Sequence, residues 1–205
     1  MNLIRNKKSL SLFIFLIGIF SLKAQVSFGV KGGVLYNFKG NFKEITQKGE
    51  VFEGNGSGEI GSHFSIFTRL KAPILFIQPE LTLTNFSYSY LNKDDIYFKS
   101  KVLRLGLTPI MGFSFLSFFR AYIGTPFSFN LRNKIDLEDT LDFKLDRWTA
   151  GIQIGLGLDA SIVNVDLRWE RGFNKSQNAF SYRNSKCFIE NKPSMILVSV
   201  GLKTP

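Results

Sequence analysis

Cysteine and histidine are almost missing from this chain: Cys187 and His63 are the only ones in 205 residues. A lone cysteine excludes an internal disulfide framework, and the pair together excludes a Cys/His zinc site built by this chain alone. After the first two dozen residues no apolar run approaches the ~18 residues that a spanning helix needs. Helical spacing of apolar residues is also scarce. What remains is 44% hydrophobic residues, 22 Phe and 18 Gly, with 26 basic against 16 acidic residues. That composition can build a buried face and excludes a disordered tail.

Residues 1–24 read as a secretory signal peptide. Arg5, Lys7 and Lys8 form a basic start, and Leu10–Phe20 (LSLFIFLIGIF) is the apolar stretch. It falls within the ~7–15 residues of such a core. Ala24 then supplies a small residue at the expected cleavage point, leaving residues 25–205 as the mature domain. The segment also holds Lys23, so its loss lowers the formal charge from +10 to about +6. The remaining bases are interleaved with acids, which argues against a nucleic-acid partner.

From Val26 onward the dominant period is two, the period of strands. Trp148, Ala150, Ile152, Ile154, Leu156, Leu158 and Ala160 share one face, against Thr149, Gly151, Gln153, Gly155, Gly157 and Asp159. About eight such runs are predicted: Val26–Phe38, Gly58–Leu70, Ile74–Leu91, Ile96–Phe115, Phe119–Leu131, Arg147–Ala160, Ile162–Asn174 and Pro193–Lys203. Tight turns at 71–73, 116–118 and 161 alternate with long polar connections at 37–57, 132–146 and 175–192, and a shorter one at 92–95. Short turns at one rim and long loops at the other match an outer-membrane barrel.

The two faces assign the solvent. By parity the polar face carries Lys31, Glu59, His63, Arg69, Glu80, Arg104, Arg120, Asp159, Asp166, Arg168 and Glu170 among glycines. The other face is Leu, Ile, Val and Phe, with Trp148 and Trp169 near strand ends as interfacial aromatics. Apolar residues toward acyl chains and charges toward the lumen fit an all-β, eight-stranded antiparallel up-and-down transmembrane barrel. Closure is then required, because an open edge in hydrocarbon leaves backbone groups unpaired. Eight strands leave room for side chains only, so the inward charges are expected to pair and plug the lumen as a structural network. The runs Phe86–Tyr90 and Phe113–Phe119 read as lipid-facing and interfacial packing. Pro79, Pro109 and Pro126 fall inside predicted strands, and parity slips near Asn85. Bulges are the expected remedy for both.

Secretion, the opening Phe28-Gly29-Val30-Lys31-Gly32-Gly33 and the repeated alternation together resemble the PorT-like outer-membrane β-barrel family, and more generally the small OmpA/OmpX-type barrels. The resemblance implies an outer-membrane location, lipid as the immediate partner, and an envelope or export-machinery protein as a further one. The chain is expected to be monomeric, without cofactor, metal or catalytic residues, and non-enzymatic. Residues 56–61 (GSGEIG) satisfy G-x-G-x-x-G, but alternation follows where a dinucleotide site needs a helix. Cys187 reads as an incidental thiol in the last long loop. Two rival classes stay open: a secreted lipocalin-like barrel holding an apolar ligand, and an outer-membrane lipid-modifying enzyme using His63 beside Ser62 or Ser65. A narrow channel is a subsidiary option.

Overall fold

The computed structural model describes residues 25–38, 41–45, 51–91, 97–116, 118–136, 140–144, 148–174, 176–182, 185–191 and 193–204. The signal peptide predicted for residues 1–24 lies outside the described residues. Among the described residues fifteen strands follow one another: β1 (Gln25–Asn37), β2 (Asn41–Ile45), β3 (Val51–Asn55), β4 (Ser57–Gly58), β5 (Ile60–Lys71), β6 (Leu75–Leu91), β7 (Tyr97–Phe115), β8 (Phe119–Gly124), β9 (Phe127–Asp136), β10 (Thr140–Lys144), β11 (Trp148–Ala160), β12 (Val163–Gly172), β13 (Ser176–Tyr182), β14 (Ser185–Asn191) and β15 (Ser194–Lys203).

Eight of these runs, with β8 and β9 counted as one broken strand, make a closed antiparallel barrel. Neighbours in sequence pair in order, and β1 closes on β15 from Gly29↔Lys203 to Asn37↔Met195. Alternation drives this closure, since every backbone group on a lipid-bathed sheet must find its partner within the sheet. The side-chain directions are those expected of such a wall. Leu156 and Leu167 are 47% and 52% exposed on the outside, whereas Arg69 and Arg120 are each 1% exposed inside. A soluble lipocalin-like barrel needs the reverse arrangement.

The long loops are more ordered than the sequence suggests. The barrel wall continues past the long-loop rim as a second, five-stranded sheet in the order β10-β13-β14-β2-β3. The β1–β5 hairpin and the β2–β3 hairpin share one register, from Gln25↔Lys71 through Tyr36↔Ile60 to Ile45↔Val51. Their polar composition hid these strands, because above the membrane no face is forced to be apolar. Cys187 falls within β14.

The prolines are not seated on bulges. Pro79 and Pro109 are direct partners in a β6–β7 ladder whose register is constant from Leu75↔Phe113 to Leu91↔Tyr97. Each lacks one donor, and the β5–β6 ladder accordingly lapses between Phe67↔Glu80 and Leu70↔Ile77. A side-chain bond from Arg69 Nε to Gln78 Oε1, 2.7 Å long, crosses that lapse. Pro126 occupies the break between β8 and β9, across which β7 keeps its register (Ile110↔Gly124, Leu107↔Phe127).

The apparent slip at Asn85 is likewise no bulge. Asn85 faces out, while Phe86, Tyr88 and Tyr90 face in and are buried with Leu35, Val102, Met195 and Leu197. Thus the Phe86–Tyr90 aromatics pack inside the long-loop end of the barrel rather than against lipid. In the other run, Phe113, Phe115 and Phe118 do face outward near the short-turn rim.

Candidate functional site

Below the aromatic cluster charged side chains are buried inside the barrel. Lys31 Nζ lies 2.6 Å from Glu80 Oε2 and 3.4 Å from Asp166 Oδ2. Arg168 grips Glu80 with both terminal nitrogens, donating Nη1 to Oε1 at 2.6 Å and Nη2 to Oε2 at 3.2 Å. Its Nε donates to Tyr122 Oη at 3.0 Å, and Tyr122 in turn donates to Asp166 Oδ1 at 2.7 Å. Toward the short turns, Arg69 Nη1 donates to Asp159 Oδ2 at 2.8 Å, and Gln78 Nε2 links back to Glu80 at 3.1 Å. These groups come from β1, β5, β6, β8, β11 and β12, so the network crosses the lumen and ties opposite walls together. Such buried pairs hold because each charge meets an opposite charge and hydrogen-bond partners besides.

Glycine supplies the space. A methyl group at Gly157 would sit 2.6 Å from Arg120 Nη2 and 2.7 Å from Asp166 Oδ1. One at Gly201 would sit 2.6 Å from the Lys31 side chain, and one at Gly155 would run into the Tyr122 ring. The string Phe28-Gly29-Val30-Lys31-Gly32-Gly33 gains a physical reading from the same geometry. Gly29 makes room for the inward Phe67 ring, Lys31 anchors the network, and Gly33 lets β1 approach the Val198 carbonyl at the closing seam.

Each residue singled out on the polar face can now be placed. Lys31, His63, Arg69, Glu80, Arg104, Arg120, Asp166, Arg168 and Glu170 are buried in the lumen, and the Asp159 side chain is 6% exposed. Arg104 and Glu170 form a separate pair nearer the aromatic cluster, with Nη2 donating to Oε1 at 2.8 Å. The Arg104 guanidinium also lies 5.4 Å from the centre of the Phe86 ring.

Glu59 does not belong to this set. It pairs with Lys99 and Ser89 at the long-loop rim. The cause is a bulge: three residues separate Gly58 from Ser62, while two separate their partners Tyr88 and Asn85. The extra residue reverses the parity on which the inward placement rested. Lys99 and Ser89 hold the Glu59 carboxyl below the usual carboxylate range.

Conversely, Tyr122, Gln78 and Lys203 join the network although the sequence reading does not single them out. Their parity with Arg120, Glu80 and Ser199 was the available signal. Trp148 stands outside at the start of β11, its ring 4.9 Å from that of Phe129, and Trp169 faces out three residues before the end of β12.

His63 is 5% exposed, and its Nε2 shares a 2.8 Å hydrogen bond with Ser199 Oγ. Its Nδ1 has no partner among the described residues, so no third group orients the ring as a hydrolytic triad requires. Ser62 faces outward, and Ser65 is engaged with Thr82 at 2.9 Å. The G-x-G-x-x-G string runs through β4 into β5 with no helix following. Among the described residues no three His, Cys, Asp or Glu side chains gather to hold a metal.

No protein-family model matches the chain, and no curated protein matches its sequence. Solved structures do match its fold. The outer membrane protein OprG from Pseudomonas aeruginosa superimposes with a TM-score of 0.66 at 11% identity, covering 88% of this chain and 97% of OprG. The outer membrane protein AlkL, solved in lipid bilayers, gives 0.52 at 14% identity, covering 86% and 90%. Outer membrane protease OmpT from Escherichia coli is also among the matches, with a TM-score of 0.45 at 7% identity, covering 89% and 99%. The architecture is therefore that of an outer-membrane β-barrel. The expectation that the chain is non-enzymatic does not stand. A fold by itself decides nothing against catalysis.

Proposed function

We propose that this protein is an integral outer-membrane barrel whose lumen is closed by its own side chains and whose extracellular sheet carries recognition. The ion-pair network carries this reading. Lys31, Glu80, Asp166, Arg168 and Tyr122 meet across the lumen, with the apolar layer of Phe86, Tyr88 and Tyr90 stacked above them. Ions would have to break buried charge pairs to pass. The part free to meet a partner is the loop sheet β10-β13-β14-β2-β3. An envelope-assembly or export role fits the PorT-like opening string, with lipid around the wall, a protein partner at the loops, and a single chain as the working unit.

The test is planar-bilayer recording of the mature barrel. No reproducible conductance is expected from the wild type, and small steps are expected from a Glu80→Ala, Arg168→Ala double variant. A steady wild-type conductance would overturn the closed lumen. Recognition is tested by cross-linking in the native envelope, where loss of residues 41–55 should abolish the adduct. An adduct that survives loss of all the loop strands would overturn that part.

A further inference from the structure

The outer wall changes character abruptly where β7 and β9 leave the apolar band. On β7 the outward positions from Phe115 back to Leu103 are all apolar. They cover roughly 40 Å of strand, which at the usual ~40° tilt spans about the thickness of the hydrocarbon layer. The next outward residue toward the long-loop rim is Lys101, and its register partner on β9 is Lys134. Arg132 sits one pair lower on the same face, opposite Leu103. Like charges directly opposite one another weaken a ladder, so pairing of the strands gives no reason for Lys101, Lys134 and Arg132 to stand together.

A bulge puts them there. Between Arg104↔Asn130 and Leu103↔Arg132 the strand β9 carries one residue more than β7, the outward Leu131. Below it Ser128 and Asn130 are buried in the lumen, while Phe127 points out and Phe129 meets the Trp148 ring. Continued unbroken, that alternation would send Arg132 and Lys134 inward as well. The inserted residue re-aims both to the exposed outer face. The nearby acids lie at the level of Lys99: Glu59 is held by Lys99 and Ser89, and Asp136 is the register partner of Lys99. Among the described residues the Arg132 and Lys134 side chains make no ion pair or hydrogen bond.

We infer that Lys101, Arg132 and Lys134 bind the phosphate of an outer-leaflet glycolipid whose acyl chains lie along Leu103, Leu105 and Phe129 beneath them. Arg132 offers a planar fork to two phosphate oxygens, and the two lysines add point charges beside it. A phosphate among them also relieves the repulsion between Lys101 and Lys134. Position selects the ligand. The cations stand on the lipid side of the wall, where the greasy band ends at the long-loop rim, and not on the loop sheet where a soluble partner would land. The outer leaflet of such membranes carries phosphorylated, acylated sugars, so a sugar phosphate is the anion met at that level. The inference uses the outer-membrane location and needs neither a closed lumen nor recognition by the loops.

The experiment is native mass spectrometry of the mature barrel folded in non-ionic maltoside micelles and titrated with lipid A, dephosphorylated lipid A or phosphatidylglycerol. A saturable lipid A adduct is expected, with the dephosphorylated lipid at least about tenfold weaker, since each basic residue at a lipid surface contributes several-fold. The triple variant Lys101→Gln, Arg132→Gln, Lys134→Gln should lose lipid A affinity about tenfold or more. Arg132→Lys, which keeps the charge but not the fork, should lose it several-fold. Lys43→Gln, on the loop sheet, should bind as the wild type does. Heat-shifted gel mobility checks the folding of each variant, and Arg132→Lys serves alone if the triple variant fails that check. The inference is overturned by equal affinity for dephosphorylated lipid A or phosphatidylglycerol, or by unchanged binding in the folded variants. Displacement of lipid A by an equal concentration of inorganic phosphate overturns it in favour of a free anion, and displacement by polyglutamate in favour of an acidic protein.

Discussion

Glu80 shows what a single lumenal residue contributes. It neutralises Lys31 at 2.6 Å and receives both terminal nitrogens of Arg168, so its removal leaves two buried cations to share Asp166 at 3.4 and 3.6 Å. Glu80→Ala is expected to lower stability by about 3–5 kcal/mol, the usual cost of breaking a buried pair from one side. The contrast is Glu53 on the loop sheet, 3.4 Å from Lys43 with both side chains well exposed. Glu53→Ala should cost no more than about 1 kcal/mol. Urea unfolding of both variants in lipid vesicles measures the difference, and equal losses would show that the lumenal charges are hydrated. The burial of Lys31, Arg69, Glu80, Arg120 and Arg168 follows the parity of their strands. Glu59 was misplaced because one inserted residue reverses every parity argument beyond it. Tyr122 was missed because an aromatic ring on an outer-membrane strand is usually assigned to lipid.

At the level of the strand, the two faces answer to different solvents. Leu156, on the outer face of β11, is paired laterally with Leu167 and Ala121 in the apolar band. Leu156→Arg should cost about 2–4 kcal/mol if that band lies at the bilayer midplane, and close to 1 or less if it lies at the interface. The same vesicle assay decides between them. The loop strands are a separate matter, since among the described residues β2 pairs with β3 and with β14. Replacing residues 40–56 by a short turn should leave the heat-shifted mobility of the barrel unchanged. The barrel strands were legible because half of every strand must be apolar in lipid. The loop strands were not, because water imposes no such pattern and only pairing with a neighbouring hairpin makes them strands.

For the whole molecule, closure at β1–β15 is the step on which the rest depends. Gly33 sits at that seam, where any side chain would run into the Val198 carbonyl. Gly33→Val should therefore prevent closure, seen as loss of the heat-shifted gel band after refolding, whereas Gly32→Ala, whose nearest neighbour stands at 3.6 Å, should keep it. The number of barrel strands and the separation of greasy from charged faces are properties of the linear pattern, since a period of two fixes which side chains share a side. Which charges actually meet is another matter. Lys31 reaches Glu80 and Arg168 reaches the same carboxylate only because closure brings β1, β6 and β12 around one narrow axis. The packing of Phe86, Tyr88 and Tyr90 against Leu35, Val102, Met195 and Leu197 arises the same way, whereas Glu59 is displaced by a single inserted residue. Side chains distant in sequence share that interior, and their packing and charge there are settled jointly by the fold.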